Sequence, residues 1–456
     1  MDDALTDILF CALYVLVPLT VLALLPSVGI SLRRFSIPSF FIIVYLVTIQ
    51  IGILPFYLKW DRYSVSLGIV DKMIILKMFV YSSASLFTII GGFSYARHVL
   101  GFDANATSHR VLLTANTRQR MFMFCLFLLC GLVLLDYIRQ VSDIALFKAL
   151  RGDVLGAAVA RSNMGNAFPG KYWRYELFFR ELLDYSVIFS LADFLMRRRR
   201  ISLLLFGGIF VVAVFSATMA IEKGAFLRLL VMLYLAYVIC KGGNYWQPAL
   251  KYVAIVMIGS LLLFYKYFMG APNVQSALQS IIGRIFFGQI SPAYFYVYLF
   301  PRHIDYLWGA SFPNPAHLLP FENFPLTVEV SKFIFPQSFA MGIVGSAPTV
   351  FWAETYANFG PIGVVFSSFL VGIGLHAISH ILSSLPLSPP VIAATAFLAM
   401  HYRTLTGSSL SSYFVDTTLF AIAFVTFTAL SLTRKVSSVQ GRTPAAKVGE
   451  ALVHAE

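Results

Sequence analysis

The feature that most constrains this chain is a succession of apolar runs, each near the length a helix needs to cross a lipid bilayer. A spanning helix takes about 20 mainly apolar residues. Runs that meet or approach this length fall near 8–30, 37–58, 74–96, 121–138, 177–196, 201–220, 225–240, 252–268, 360–381, 391–402 and 412–432. Those at 225–240 and 391–402 are short and need flanking residues to span. A further apolar stretch, 281–300, contains Arg284, Gln289 and Pro292. It either spans, lies at the interface or re-enters.

Composition points the same way. The chain is 59% hydrophobic and 12% charged, with a mean hydropathy of +0.79, whereas a soluble domain keeps about a quarter of its residues charged. Lipid must therefore solvate most of the fold, which is expected to be an all-α polytopic membrane protein. The 43 Phe and 23 Tyr residues suit lipid-facing walls and interfacial belts. Cys11, Cys125, Cys130 and Cys240 all fall inside apolar runs, which supports neither a disulfide framework nor a zinc site. The first run has no basic segment before it and outruns a signal-peptide core, so a retained spanning helix is expected.

A net charge of +13 in such a protein marks cytoplasmic loops rather than nucleic-acid binding. With the N-terminus outside and 281–300 not crossing, the cytoplasmic segments hold Arg33, Arg34, Arg97, Arg110, Arg118, Arg120, Arg197–Arg200, Lys241, Lys251 and the basic residues from Arg434 onward. This gives eleven spans; a crossing by 281–300 would make twelve and flip one end. Two long periplasmic loops follow, about 139–176 and 269–359. With no linker, repeat or low-complexity tract, residues 1–436 read as one polytopic domain and 437–456 as a disordered cytoplasmic tail.

The first long loop carries Arg139, Lys148, Arg151, Arg161, Lys171 and Arg174 on the side where few basic residues are expected. Such a cluster binds an anionic ligand or phospholipid headgroups. The second loop is aromatic and Pro-rich around Arg302, His303 and Trp308, with Arg284 before it. Its flat faces suit sugar rings, and they equally suit an interfacial belt. Glu222-Lys223-Gly224 forms a turn between two helices at the outer surface, and Glu354, Tyr356 and Asn358 open a later helix, with Glu354 and Asn358 one turn apart. His401 and Arg403 lie near the outer end of the next. Arg180, Asp184, Asp193 and Arg228 lie within helices, where charge is costly, so each is expected to be paired or to face a cavity. There is no Gly-rich nucleotide loop, zinc spacing, nucleophile elbow or Asp-x-Asp. No cofactor and no metal are expected, and an activated substrate must then arrive on a lipid.

At these loops the chain resembles the Wzy family of O-antigen and oligosaccharide repeat-unit polymerases, most strongly from about 147 to 370. The matching pieces are the loop around Arg151 to Arg161, Glu222-Lys223-Gly224, Gly283-Arg284, Pro301-Arg302-His303 with Gly309, and the stretch from Glu354 to Gly363. The resemblance implies a GT-C-like helical fold in the bacterial inner membrane, working at its periplasmic face. It implies transfer of a growing polymer from undecaprenyl pyrophosphate onto an incoming lipid-linked unit, with a polysaccharide chain-length regulator as a protein partner. Guanidinium groups stabilise a departing pyrophosphate without a metal. Arg284 and Arg302 are the candidates for that role, Arg151 and Arg161 for holding the other anionic substrate, and Lys223 for a further phosphate contact. Glu354 is the first candidate base and His303 the second; Tyr356, Asn358, His401 and Arg403 are candidate substrate contacts. The alternatives are an O-antigen ligase, for which His303 or His317 would serve, and a transporter or flippase of lipid-linked sugars.

Overall fold

The computed structural model describes residues 3–103, 113–165, 168, 170–268, 273–314, 320–341 and 344–433. His317 and the expected tail 437–456 lie outside them. Among the described residues the chain is helical without β-strands. All eleven runs read from the sequence lie in long helices: α1 Ala4–Leu24, α2 Ile37–Tyr57, α3 Lys72–His98, α4 Thr117–Gln140, α5 172–197, α6 Arg200–Thr218, α7 Lys223–Cys240, α8 Ala249–Lys266, α9 Phe351–Ser384, α10 Pro389–Arg403 and α11 Leu410–Ser431. Nine of these, all but α5 and α10, are long and apolar enough to cross a membrane. The chain is an all-helical, multi-pass membrane protein.

The expected count of eleven to twelve spans therefore divides. α5 is long but carries Glu176, Arg180, Glu181, Asp184 and Asp193, while α10 has only 15 residues. Both are buried by protein. α5 packs on α6, α7 and α10, and α10 packs on α2, α7 and α11. By contrast only 17% of the α1 apolar window and 11% of that of α8 is buried, so their apolar faces look outward, as lipid-facing walls do. The stretch 281–300 is not one helix. Val274–Ile282 runs into a wide turn at Gly283–Phe287, and a separate helix, Ala293–Leu299, follows.

The connections gather at two ends. At one, Arg34 bridges Asn244, the Leu113 amide donates to the Leu387 carbonyl at 3.0 Å, and Asn116 Nδ2 donates to the Leu432 carbonyl at 2.8 Å. At the other, Lys72 pairs with Asp7 at 2.7 Å, the Leu146 amide donates to the Met219 carbonyl at 3.0 Å, and Ser411 donates to Glu354 at 2.7 Å. The described candidate site residues belong to this second end.

The most extensive helix pair is α3 with α9, and small residues set its closeness. A Cβ on Gly92 would lie 2.4 Å from the Phe369 carbonyl oxygen, and one on Gly372 2.3 Å from that of Ile89. Backbones approach this closely in membranes only where side chains are absent; Ser368 adds a 2.8 Å hydrogen bond to Ser85 across the seam. Gly92→Val should push the helices apart at a cost of about 1–3 kcal/mol. Detergent-solubilised protein should show this as a lowered unfolding temperature; wild-type stability would refute the packing argument.

Candidate functional site

Arg161 closes the short helix Val154–Met164, Lys223 begins α7, and Arg284 sits in the wide turn Gly283–Phe287. Three distant segments thus bring these cations close enough to act electrostatically on Lys223. Arg161 and Arg284 are exposed and Lys223 is half-buried. Lys223 Nζ donates to the Tyr265 hydroxyl at 2.6 Å and lies 4.0 Å from the centre of that ring. Among the described residues no carboxylate forms an ion pair with any of the three, although acids elsewhere at this end are taken up by other cations. Like charges repel, and a polyanion placed among them would relieve the repulsion.

The remaining expected residues are distributed differently. Arg151 lines a separate cavity of about 310 Å³ beside the Lys148–Asp143 pair. Arg302 is exposed with its guanidinium 5.9 Å from the Tyr298 ring centre, and the His303 ring lies 4.9 Å from the same ring. No contact joins Arg302 to the three cations among the described residues. Glu354 is buried, with one oxygen accepting from the Ser411 hydroxyl at 2.7 Å and the other from its amide at 3.2 Å. Asn358 is fully buried; its oxygen accepts from the Gly309 amide at 2.9 Å and its nitrogen donates to Ser311 at 2.7 Å and to the Glu354 carbonyl at 2.8 Å. Tyr356 donates to the Phe300 carbonyl at 3.1 Å. These three residues spend their polar atoms on holding the 300–311 and 407–416 segments to α9. Gly360 completes that job: at φ +64° it breaks the α9 helix before Pro361, and Tyr306 packs 2.9 Å from where a Cβ would stand.

A second feature of this end was only half visible in the sequence. Arg180 donates to Glu176 at 2.7 Å and to Glu222 at 2.6 Å; Arg228 donates to Glu181 at 2.7 Å and to Asp184 at 3.0 Å. The expectation that Arg180, Asp184 and Arg228 are paired therefore holds, and Asp193 pairs with Arg197 at 3.2 Å at the far end of α5. The two paired guanidiniums border a cavity of about 460 Å³, lined also by Trp173, Gly224, His401, Ser412, Tyr413 and Asp416. His401 Nε2 lies 3.1 Å from the Tyr413 carbonyl and 3.6 Å from Asp416. Arg403, two residues further on, is half-buried, with an Nε that finds no partner. Glu176, Glu181, Trp173, Ser412 and Asp416 were not singled out by sequence reasoning. The signal available was the spacing of 176, 180 and 184, which puts Glu, Arg and Asp on one helical face.

The turn Glu222-Lys223-Gly224 separates the two features. Glu222 faces Arg180, Lys223 faces Tyr265 and the cation group, and Gly224 forms cavity wall. No family model matches this chain, and no curated protein or solved structure matches it either.

Proposed function

We propose that this protein is a polymerase of undecaprenyl-pyrophosphate-linked oligosaccharide repeat units, acting at the periplasmic face of the bacterial inner membrane. The observation that carries the reading is the placement of Arg161, Lys223 and Arg284, three cations without a salt-bridge partner among the described residues, at the same end of a membrane bundle. In the proposed reaction an acceptor hydroxyl attacks the anomeric carbon of the lipid-linked donor. The bond from that carbon to the diphosphate breaks, the diphosphate leaves with the electron pair, and the acceptor hydroxyl's proton passes to the departing diphosphate. Negative charge grows on the departing group, and nearby cations stabilise it. The opposite end supports the orientation, since Arg33, Arg34, Arg118, Arg197, Arg198 and Lys241 gather there and positive charge favours the cytoplasmic side. A GT-C-like fold, the bacterial inner membrane and a chain-length regulator as partner all belong to this proposal.

Deletion of the gene, followed by gel analysis of surface polysaccharide, tests it. A polymerase mutant should carry single repeat units on the lipid core, restored to a ladder by the wild-type gene. Bare core with polymer still on the carrier lipid would indicate a ligase instead. An unchanged ladder would remove both.

A further inference from the structure

We infer that the cavity bounded by α5, α7, α10 and the 412–418 segment is a binding site for a neutral, hydroxyl-rich sugar, distinct from the cation group beside it. The inference builds on the lipid-linked-glycan reading, in which this sugar is the acceptor end of the incoming unit. Four observations carry it. The cavity, at about 460 Å³, lies in the range of roughly 300–1,000 Å³ typical of small-molecule sites. Each guanidinium of the wall is already held by two carboxylates: Arg180 by Glu176 and Glu222, and Arg228 by Glu181 and Asp184. With Asp416, five carboxylates stand against these two guanidiniums, so a diphosphate would be repelled here and drawn to Lys223 on the other side of the turn. The carboxylates also retain accepting capacity. An ionised carboxylate offers about four lone-pair sites and no donor, and Glu176, Glu181 and Asp416 all line the cavity. Finally, Trp173 and Tyr413 bring aromatic surface to the wall, and Thr404 and Ser412 bring hydroxyls. Acceptor-rich walls with aromatic faces match the O–H donors and apolar ring faces of a sugar.

Gly224 allows a test that leaves every ion pair in place. It lines the cavity, is exposed, and a Cβ there would meet no atom within 4 Å, so Gly224→Leu fills the space without removing a charge. Full-length protein in lipid nanodiscs would be titrated with free glucose, galactose, rhamnose and N-acetylglucosamine to about 10 mM, ten times a millimolar Kd, with tryptophan emission as readout. At least one sugar should shift the emission of the wild type, and both Gly224→Leu and Trp173→Phe should abolish that shift. No response to any of the four, or a response surviving in either variant, overturns the inference. Retention of geranylgeranyl diphosphate on the same nanodiscs addresses the cation group separately, and Arg284→Ala should lose it while keeping the sugar response. A wild type that answers to sugar but not to the diphosphate would sink the polymerase reading and leave this cavity standing.

Discussion

Arg284→Ala should shorten the polysaccharide ladder to its lowest rungs, with a loss of polymerisation rate of about 100-fold or more, the usual cost of removing one preorganised charge-stabilising group. The protein should still accumulate in the membrane. Arg284 is exposed and forms no ion pair among the described residues, so its removal breaks no packing and relieves repulsion with Lys223. That combination, intact protein and lost product, separates a site residue from a structural one. Arg284→Lys keeps the charge but loses the bidentate fork, so it should fall between alanine and wild type. Arg302→Ala is the informative comparison: with Arg302 set against Tyr298 rather than among the three cations, its ladder should retain more rungs than that of Arg284→Ala. A wild-type ladder from Arg284→Ala, at normal protein level, would end the case for the cation group.

The helical architecture was legible because apolar runs of spanning length have few other fates, and each run read from the sequence overlaps a helix. Depth in the bundle was less legible. The runs at 177–196 and 391–402 look like their neighbours in hydropathy, yet they form α5 and α10, enclosed by other helices. The charges on α5 were the available clue, since charge inside a bundle needs protein partners. Roles at the site divided by the range of the interaction. Arg161, Lys223 and Arg284 were picked out as basic residues on the outer side, but they lie on segments more than 60 positions apart and no local pattern relates them. Glu354 and Asn358 read as a polar face because their spacing is helical. That spacing cannot tell a face presented to a ligand from one spent on neighbouring loops, and Ser411, Gly309 and Ser311 take up those atoms.

The fold's most exposed point of failure is the link between α5 and α7. Arg228→Met should destabilise the protein by about 3–5 kcal/mol, the range for removing one partner from a buried ion pair. The side chains of Glu181 and Asp184 are only 12% and 5% exposed and Arg228 binds both, so its loss leaves two carboxylates facing each other without a shared cation. Thermal unfolding in detergent should show a large fall in midpoint and poor recovery of folded protein. A cavity left by a shorter side chain would produce a similar fall, and the triple variant Arg228→Met/Glu181→Gln/Asp184→Asn distinguishes the two causes. Methionine fills much of the arginine's volume and the two amides keep their shape while losing charge. If uncompensated charge is the reason for the loss, the triple variant should recover most of the stability, because replacing a whole buried ionic group by neutral residues is often close to neutral. If the triple variant is as unstable as Arg228→Met, the cause is packing. If Arg228→Met itself unfolds at the wild-type midpoint, Arg228 does not hold α7 to α5, and the wall of the cavity between them is not built as described.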